Sequence, residues 1–160
     1  LRTAGILLIG VALVGGISAA WSHWDVDPNS DVPKTIQVSS EDLDLHDGRV
    51  FVYFFNPTCL HCLDAGIAMA NFNWEAVFVG VPTQDFDFAP GFVDDTGLKD
   101  VQLSPDLDLL RSKFSFEDVP YGVAIHNGRV VEQLRFFEEP ALSKKLRQLG
   151  FIGVAQQWKV

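Results

Sequence analysis

Cysteine is nearly absent from this chain of 160 residues: there are two, Cys59 and Cys62, three positions apart. A scaffold stapled by several disulfides is therefore excluded, and so is a zinc site of four thiolates within the chain. Basic runs are missing as well. Only 12 Lys and Arg stand against 21 Asp and Glu, giving a formal charge of −9. A nucleic-acid surface needs clustered Lys and Arg, so that class is excluded too. Internal repeats and low-complexity tracts are also lacking. What is present is a length that fits one globular domain plus a short appendage, enough to bury a core. The composition is 48% apolar, yet 21% of residues are charged. That combination points to separate regions, one apolar and one ordinary, and the acidic balance speaks to solubility rather than to fold.

The apolar region is the N-terminus. Ala4 to Trp21 reads AGILLIGVALVGGISAAW, with Ser18 its only polar side chain. At about 1.5 Å per residue such a helix is roughly 27 Å long, near the hydrocarbon thickness of a bilayer. Trp21 and Trp24 follow where indole rings prefer the interface. Arg2 precedes the run; Asp25, Asp27 and Asp31 follow it. This bias places the N-terminus in the cytoplasm and the domain outside. The competing reading is a cleaved signal peptide ending near Ser18-Ala19-Ala20; an anchor is preferred on length. Small residues recur at four-residue spacing (Ala12 with Gly16, Gly15 with Ala19, Gly16 with Ala20), which either reflects the ordinary glycine content of membrane helices or lets partner helices of a membrane complex approach closely. The expected organisation is an anchor at 1–24, a linker at 25–40, a folded domain at 41–150 and an unassigned tail at 151–160. The linker carries Pro28, Asn29 and Pro33, with a short strand at Ile36 to Val38.

Within the domain, Asp47-Gly48 is a turn signal, and RVFVYFF from Arg49 to Phe55 has the β-branched, aromatic, two-sided apolar pattern of a central buried strand. Cys59 to Ala70 suits a helix, capped by Thr58 or Asn56. Trp74 to Val81 reads as a second buried strand, so the two strands and helix form a parallel βαβ unit. Pro82 to Pro105 is loop-rich, with a short helix around Phe92 to Leu98. Asp106 to Phe114 reads as a helix. Tyr121 to His126 and Val130 to Phe136 are strands joined by Asn127-Gly128, a strong hairpin signal. Glu139 to Leu149 is a final helix with Gly150 as its C-terminal cap. The order is β, α, β, α, β, β, α.

The Cys-Leu-His-Cys motif follows the first strand and opens the helix. Its first sulfur sits at a helix N-terminus, where unpaired N–H groups favour an anion. Its second lies one turn inside, close enough for a strained, reversible disulfide. Cys59 is then the attacking thiolate and Cys62 the resolving thiol.

From about Val50 to Gly150 the chain resembles the thioredoxin superfamily, on FVYFFNPTCLHC at the end of the first core strand and VPYGVAIHNGRVV before the terminal hairpin. The resemblance implies an α/β thioredoxin-like fold, a central mixed sheet flanked by helices, here with one N-terminal transmembrane helix. The long segment after the second strand looks like the insert of the membrane-anchored TlpA and ResA type, which work outside the bacterial cytoplasm. A single-pass protein of the bacterial inner membrane with a periplasmic domain is the implied location. The implied activity is thiol–disulfide exchange with protein substrates, needing no metal and no cofactor beyond the redox-active Cys59–Cys62 disulfide. Pro120 matches the family's cis-proline opposite the cysteines; the alternative is an ordinary trans turn. A cis bond there exposes the backbone of Val119 for pairing with an extended substrate segment. His61, as a cation or through its N–H, stabilises the Cys59 thiolate and makes the disulfide more oxidising, as in the periplasmic oxidant DsbA; the alternative is a solvated side chain. Two positions depart from the family. Tyr53 stands where many thioredoxins carry a buried acid, and Thr58 replaces the usual Trp. Asp64 is too exposed to substitute for the acid.

Two other readings compete. Cys59, Cys62 and His61 offer soft ligands for copper, with His126 as the only later histidine candidate. An accessory subunit of a membrane complex would use the fold for docking, with the cysteine pair structural or vestigial.

Overall fold

The strand with the strongest local preference organises everything else. In the computed structural model, which describes residues 32–153, Arg49–Phe55 forms β3. Successive side chains of a strand point to opposite faces. Accordingly Phe51, Tyr53 and Phe55 enter one core cluster, while Val50, Val52 and Phe54 enter another. All six are essentially inaccessible to solvent. Burying a large apolar side chain is worth about 1.5–3 kcal/mol, so this strand holds two cores at once.

The five-stranded sheet has the order β5–β4–β3–β6–β7. β4 (Val77–Pro82) and β5 (Val101–Leu103) run parallel to β3; β6 (Tyr121–His126) and β7 (Arg129–Leu134) complete it in antiparallel register. Helix α1 (Leu60–Ala70) connects β3 to β4, as expected for a βαβ unit. α1, α2 (Ala89–Thr96) and α4 (Ala141–Gln148) supply Cys62, Met69, Phe92, Leu142 and Leu146 to the first cluster. α3 (Leu107–Lys113) supplies Leu110 to the second, on the other face. The expected α/β architecture with a central mixed sheet is what is found. Asn127 and Gly128 both have positive φ, 50° and 75°, as a tight hairpin turn between β6 and β7 requires. Gly150, at φ 73°, follows α4 in the left-handed conformation of a helix C-terminus.

Several boundaries differ from those expected. The short strand expected at Ile36 to Val38 is present as β1 (Thr35–Val38), but it belongs to the folded domain and not to a linker, pairing with β2 (Glu41–Asp44) in an antiparallel hairpin. Its alternating burial carries Ile36 and Val38 into the second cluster, along with Val32. The Ser39 N–H donates to the Leu103 carbonyl at 3.0 Å, tying the hairpin to the edge strand β5. β5 itself lay in the stretch read as loop; its three residues are too few for a periodicity signal. The strand expected from Trp74 begins at Val77, because Trp74 instead makes an isolated bridge to Ile152. Phe151 and Ile152, in the segment left unassigned, are buried in the first cluster. The expected anchor at 1–24, residues 25–31 and residues 154–160 lie outside the described residues. Among those described, no helix is long and apolar enough to cross a membrane.

Close approach of α1 and α2 depends on Gly66. A Cβ there would lie 2.5 Å from Thr96 Cγ2. Thr96 cannot turn away freely, because its hydroxyl donates to the Phe92 carbonyl at 2.8 Å. Alanine gains about 1 kcal/mol of helix propensity, but overpacking a tight core contact costs about 1–3 kcal/mol. Gly66→Ala is expected to lower unfolding stability by about 1 kcal/mol net, read as a reduced urea midpoint at unchanged m-value. Gly91→Ala, where nothing lies within 4 Å of the added carbon, is the matched control and is expected to be stabilising.

Candidate active site

β3 ends in the core, and Asn56-Pro57-Thr58 turns the chain directly into α1. The cap of that helix differs from the one expected. Asn56 Oδ1 accepts from the Thr58 N–H and the Thr58 hydroxyl, each at 2.9 Å, closing a local turn. The side chains of Asn56 and Thr58 are thus spent on one another, and the N-cap position falls to Cys59, whose φ and ψ are −92° and 122°. The Cys59 carbonyl accepts from the Leu63 N–H at 3.0 Å, the first turn of the helix. The Cys59 sulfur therefore stands at the N-terminal end of α1, beside the unpaired N–H groups of its first turn.

The two thiols have different surroundings. Cys59 is half-buried and Cys62 fully buried, and neither is in a disulfide. The Cys62 thiol is pushed up to about 12, chiefly by burial and in smaller part by the neighbouring Cys59, with the Asn56 N–H, 3.4 Å from Cys62 Sγ, working in the opposite direction. Cys62 thus holds its proton while Cys59 faces outward. Tyr53 lies on the core side. Its hydroxyl donates to the Cys62 carbonyl at 2.8 Å. Its ring packs against Phe55, Phe78 and Phe137 with centroids 5.5, 6.2 and 5.6 Å away. Burial, reinforced by the two cysteines, raises the phenol far above its ordinary value, so it is a fixed neutral donor.

Cys59 opens onto a cavity of about 240 Å³ lined by Asn56, Thr83, Gln84, Arg111, Glu117, Asp118 and Val119. Asn56 Nδ2 donates to Gln84 Oε1 at 3.3 Å, joining the end of β3 to the loop after β4. The Val119–Pro120 peptide is cis, and Val119 faces the same cavity as Cys59. Cys59, Cys62, Val119 and Pro120 are thus brought to one end of the sheet. His61 is also there, exposed on the first turn of α1. Asp64 is exposed, in agreement with the sequence reading. His126 is elsewhere. It pairs with Arg49 at the opposite end of β3, whereas the cysteines follow Phe55; six residues of strand separate the two ends by roughly 20 Å. Among the described residues, no group of three or more His, Cys, Asp or Glu is placed to hold a metal ion.

The sequence reading did not find Asn56 as a donor to Cys62, nor Thr83, Gln84, Arg111, Glu117 and Asp118 around Cys59. Asn56 lay in a recognisable turn, but its N–H reaches the sulfur only through the fold of that turn. The others come from the loop after β4, from helix α3 and from the connection before β6, and carry no shared local pattern.

Comparison with protein-family models and with curated protein sequences gives no match. Solved structures do match. The DsbF protein of Mycobacterium tuberculosis is 16% identical, with a TM-score of 0.60 over 76% of this chain and 96% of that one. A secreted M. tuberculosis disulfide oxidoreductase homologous to E. coli DsbE is 17% identical, with a TM-score of 0.62 over 75% of this chain and 98% of that one. A thioredoxin-like protein from Aeropyrum pernix is 14% identical, with a TM-score of 0.55 over 72% and 87%. The domain has a thioredoxin-like fold.

The raised Cys62 thiol has a consequence for stability. An unfolded thiol titrates near 9, the folded one near 12. Above pH 9 the unfolded chain has lost a proton that the folded chain keeps, so stability is full below pH 9 and falls as pH rises toward 12. The buried Tyr53 phenol adds a loss of the same sign once pH passes 10, the ordinary tyrosine value. In urea titrations of the reduced protein at pH 8, 9 and 10, stability is expected to fall, and the fall from pH 8 to pH 10 to be shallower in Cys62→Ala.

Proposed function

We propose that the chain is a membrane-tethered, extracytoplasmic thiol–disulfide oxidoreductase acting on protein substrates through Cys59 and Cys62. The observation that carries the reading is the asymmetry of the pair: Cys59 lies at a helix N-terminus on an open cavity, and Cys62 is sealed beneath it with its proton held. Both fold neighbours named as a disulfide oxidoreductase or a Dsb protein are consistent with that chemistry. The tether rests on the apolar run Ala4 to Trp21, and the outward orientation on Arg2 before it and the aspartates after it.

In the reducing direction, the Cys59 thiolate attacks one sulfur of a substrate disulfide. A Cys59–substrate disulfide forms, and the other substrate sulfur leaves as a thiolate. Cys62, on losing its proton to solvent, attacks the Cys59 sulfur. The Cys59–Cys62 disulfide forms, the second substrate thiolate leaves, and two electrons have passed to the substrate. The same steps reversed oxidise a substrate dithiol. The backbone of Val119 supports an extended substrate segment beside Cys59. His61 steadies the thiolate from the exposed side.

Thiol trapping tests this directly. In the reduced, folded chain, iodoacetamide at pH 8 is expected to modify Cys59 about 100-fold faster than Cys62, because Cys59 lines an open cavity while Cys62 is buried and its thiol is pushed up to about 12. Cys59→Ser is expected to abolish exchange, and Cys62→Ser to accumulate a mixed disulfide visible on a non-reducing gel. If Cys59 resists alkylation, the enzyme reading fails and the pair is structural, as in a docking subunit.

The tether has its own test. The intact chain is expected in the membrane pellet after alkaline carbonate washing, and a chain lacking residues 1–24 in the supernatant. Release of the intact chain by the wash would contradict a spanning anchor.

A further inference from the structure

We propose that Arg111 and Arg135 form a carboxylate-binding subsite that selects protein substrates with acidic residues next to the reacting cysteine. This deepens the oxidoreductase reading and rests on it. The chain carries a net charge of −9, so its surface as a whole repels acidic segments. One place near the cysteines runs against that trend. A second cavity, of about 370 Å³, is lined by Arg111, Ser115, Phe116, Glu117 and Arg135, with two guanidinium groups against one carboxylate. It shares Arg111 and Glu117 with the cavity that holds Cys59 and Val119. A segment lying along Val119 with its cysteine at Cys59 therefore continues toward the arginines.

The two cations are held in place by a stacked aromatic slab. Phe116 and Tyr121 stack with centroids 4.9 Å apart, and both are buried. Arg111 Cζ lies 5.0 Å from the Phe116 ring centroid, and Arg135 Cζ lies 6.0 Å from that of Tyr121. Stacking of this kind fixes a guanidinium plane while leaving its N–H edge open. Among the described residues the one ion pair is Lys145 with Glu132, so neither arginine is neutralised by a carboxylate of its own. Two guanidinium groups on one cavity wall repel each other, and a carboxylate accepting from both relieves that repulsion through charge-assisted hydrogen bonds. Glu117 and Asp118 are the opposing charges. Asp118 lines only the cavity of Cys59, which leaves the excess positive charge on the far side, away from the sulfur. The subsite thus reads residues flanking the substrate cysteine rather than the cysteine itself.

The experiment compares two synthetic peptides that each carry one disulfide and are identical except for two Glu or two Gln beside the reacting cysteine. The full chain in detergent, with reduced glutathione supplied as the recycling reductant and the uncatalysed rate subtracted, is expected to reduce the acidic peptide with about tenfold higher kcat/KM, expressed mainly in KM. The ratio is expected to collapse toward one at about 0.5 M salt, where screening acts within a few ångströms, and in Arg111→Gln/Arg135→Gln, whose two positions are exposed and leave the core untouched. Equal kcat/KM for the two peptides, or a preference for the Gln peptide, overturns the subsite while leaving the oxidoreductase reading standing. If neither peptide reacts and Cys59 resists alkylation, the oxidoreductase reading fails. Equilibrium binding of the same peptides with Ser in place of Cys then decides the subsite separately: tighter binding of the acidic peptide, lost in the double variant, upholds it, and equal binding overturns it.

Discussion

The two-sided burial of β3 is the constraint on which the rest depends. A strand with aromatic or β-branched side chains on both faces must be covered on both, so it becomes the middle of a sheet with a layer on either side. α1, α2 and α4 cover Phe51, Tyr53 and Phe55; α3 and the N-terminal hairpin cover Val50, Val52 and Phe54. Because those six positions have no freedom, neither does the point where the strand stops. Asn56 is set there, and its N–H and side chain fix the turn that delivers Cys59 to the head of α1. The position of the reactive sulfur is a consequence of core packing.

The same packing decides the chemistry of the second sulfur. Cys62 belongs to the cluster that contains Tyr53, Phe55 and Phe78. Nothing in that environment accepts a proton readily. The phenol of Tyr53 is already committed to the Cys62 carbonyl and is itself held neutral by burial. A carboxylate at that position would add a charge to the core, with a desolvation cost of several kcal/mol. Tyrosine instead contributes ring packing and one satisfied hydrogen bond. The arrangement favours a firmly packed floor under the cysteine pair over a buried acceptor for the proton of Cys62.

The parts legible in the sequence were those carried by contiguous patterns. RVFVYFF announced a central strand, Asn127-Gly128 a hairpin, and the position of Cys59 and Cys62 after that strand a helix start. Each is a local signal with a local cause. The short strand at Ile36 to Val38 was legible, but its partner β2 and their hairpin escaped, because the burial alternates over only four residues and the hairpin is held by a remote partner, the Leu103 carbonyl, and by the face of β3 beneath it. Trp74 was read into a strand on its aromatic character, but its bridge partner, Ile152, lies at the other end of the chain. The cavity around Cys59 was illegible for the same reason. Arg111 follows α3's own helical pattern, Thr83 and Gln84 follow β4, and Glu117 to Val119 precede β6; only the order of strands in the sheet brings them together.

This division bears on how such a site can change. The cysteine pair and the turn before it are bound to the core, so substitutions at Tyr53, Asn56 or Cys62 act on stability and chemistry together. The outer wall of the cavity is different. Gln84, Glu117 and Asp118 are exposed, and substitutions at such positions usually shift stability by no more than about 0.5 kcal/mol. The cysteine pair is thus held in a part of the fold that resists change, while the outer wall of its cavity sits where change costs little. In a thioredoxin-like domain built this way, charges along the rim can be exchanged without disturbing the packing that places the two cysteines.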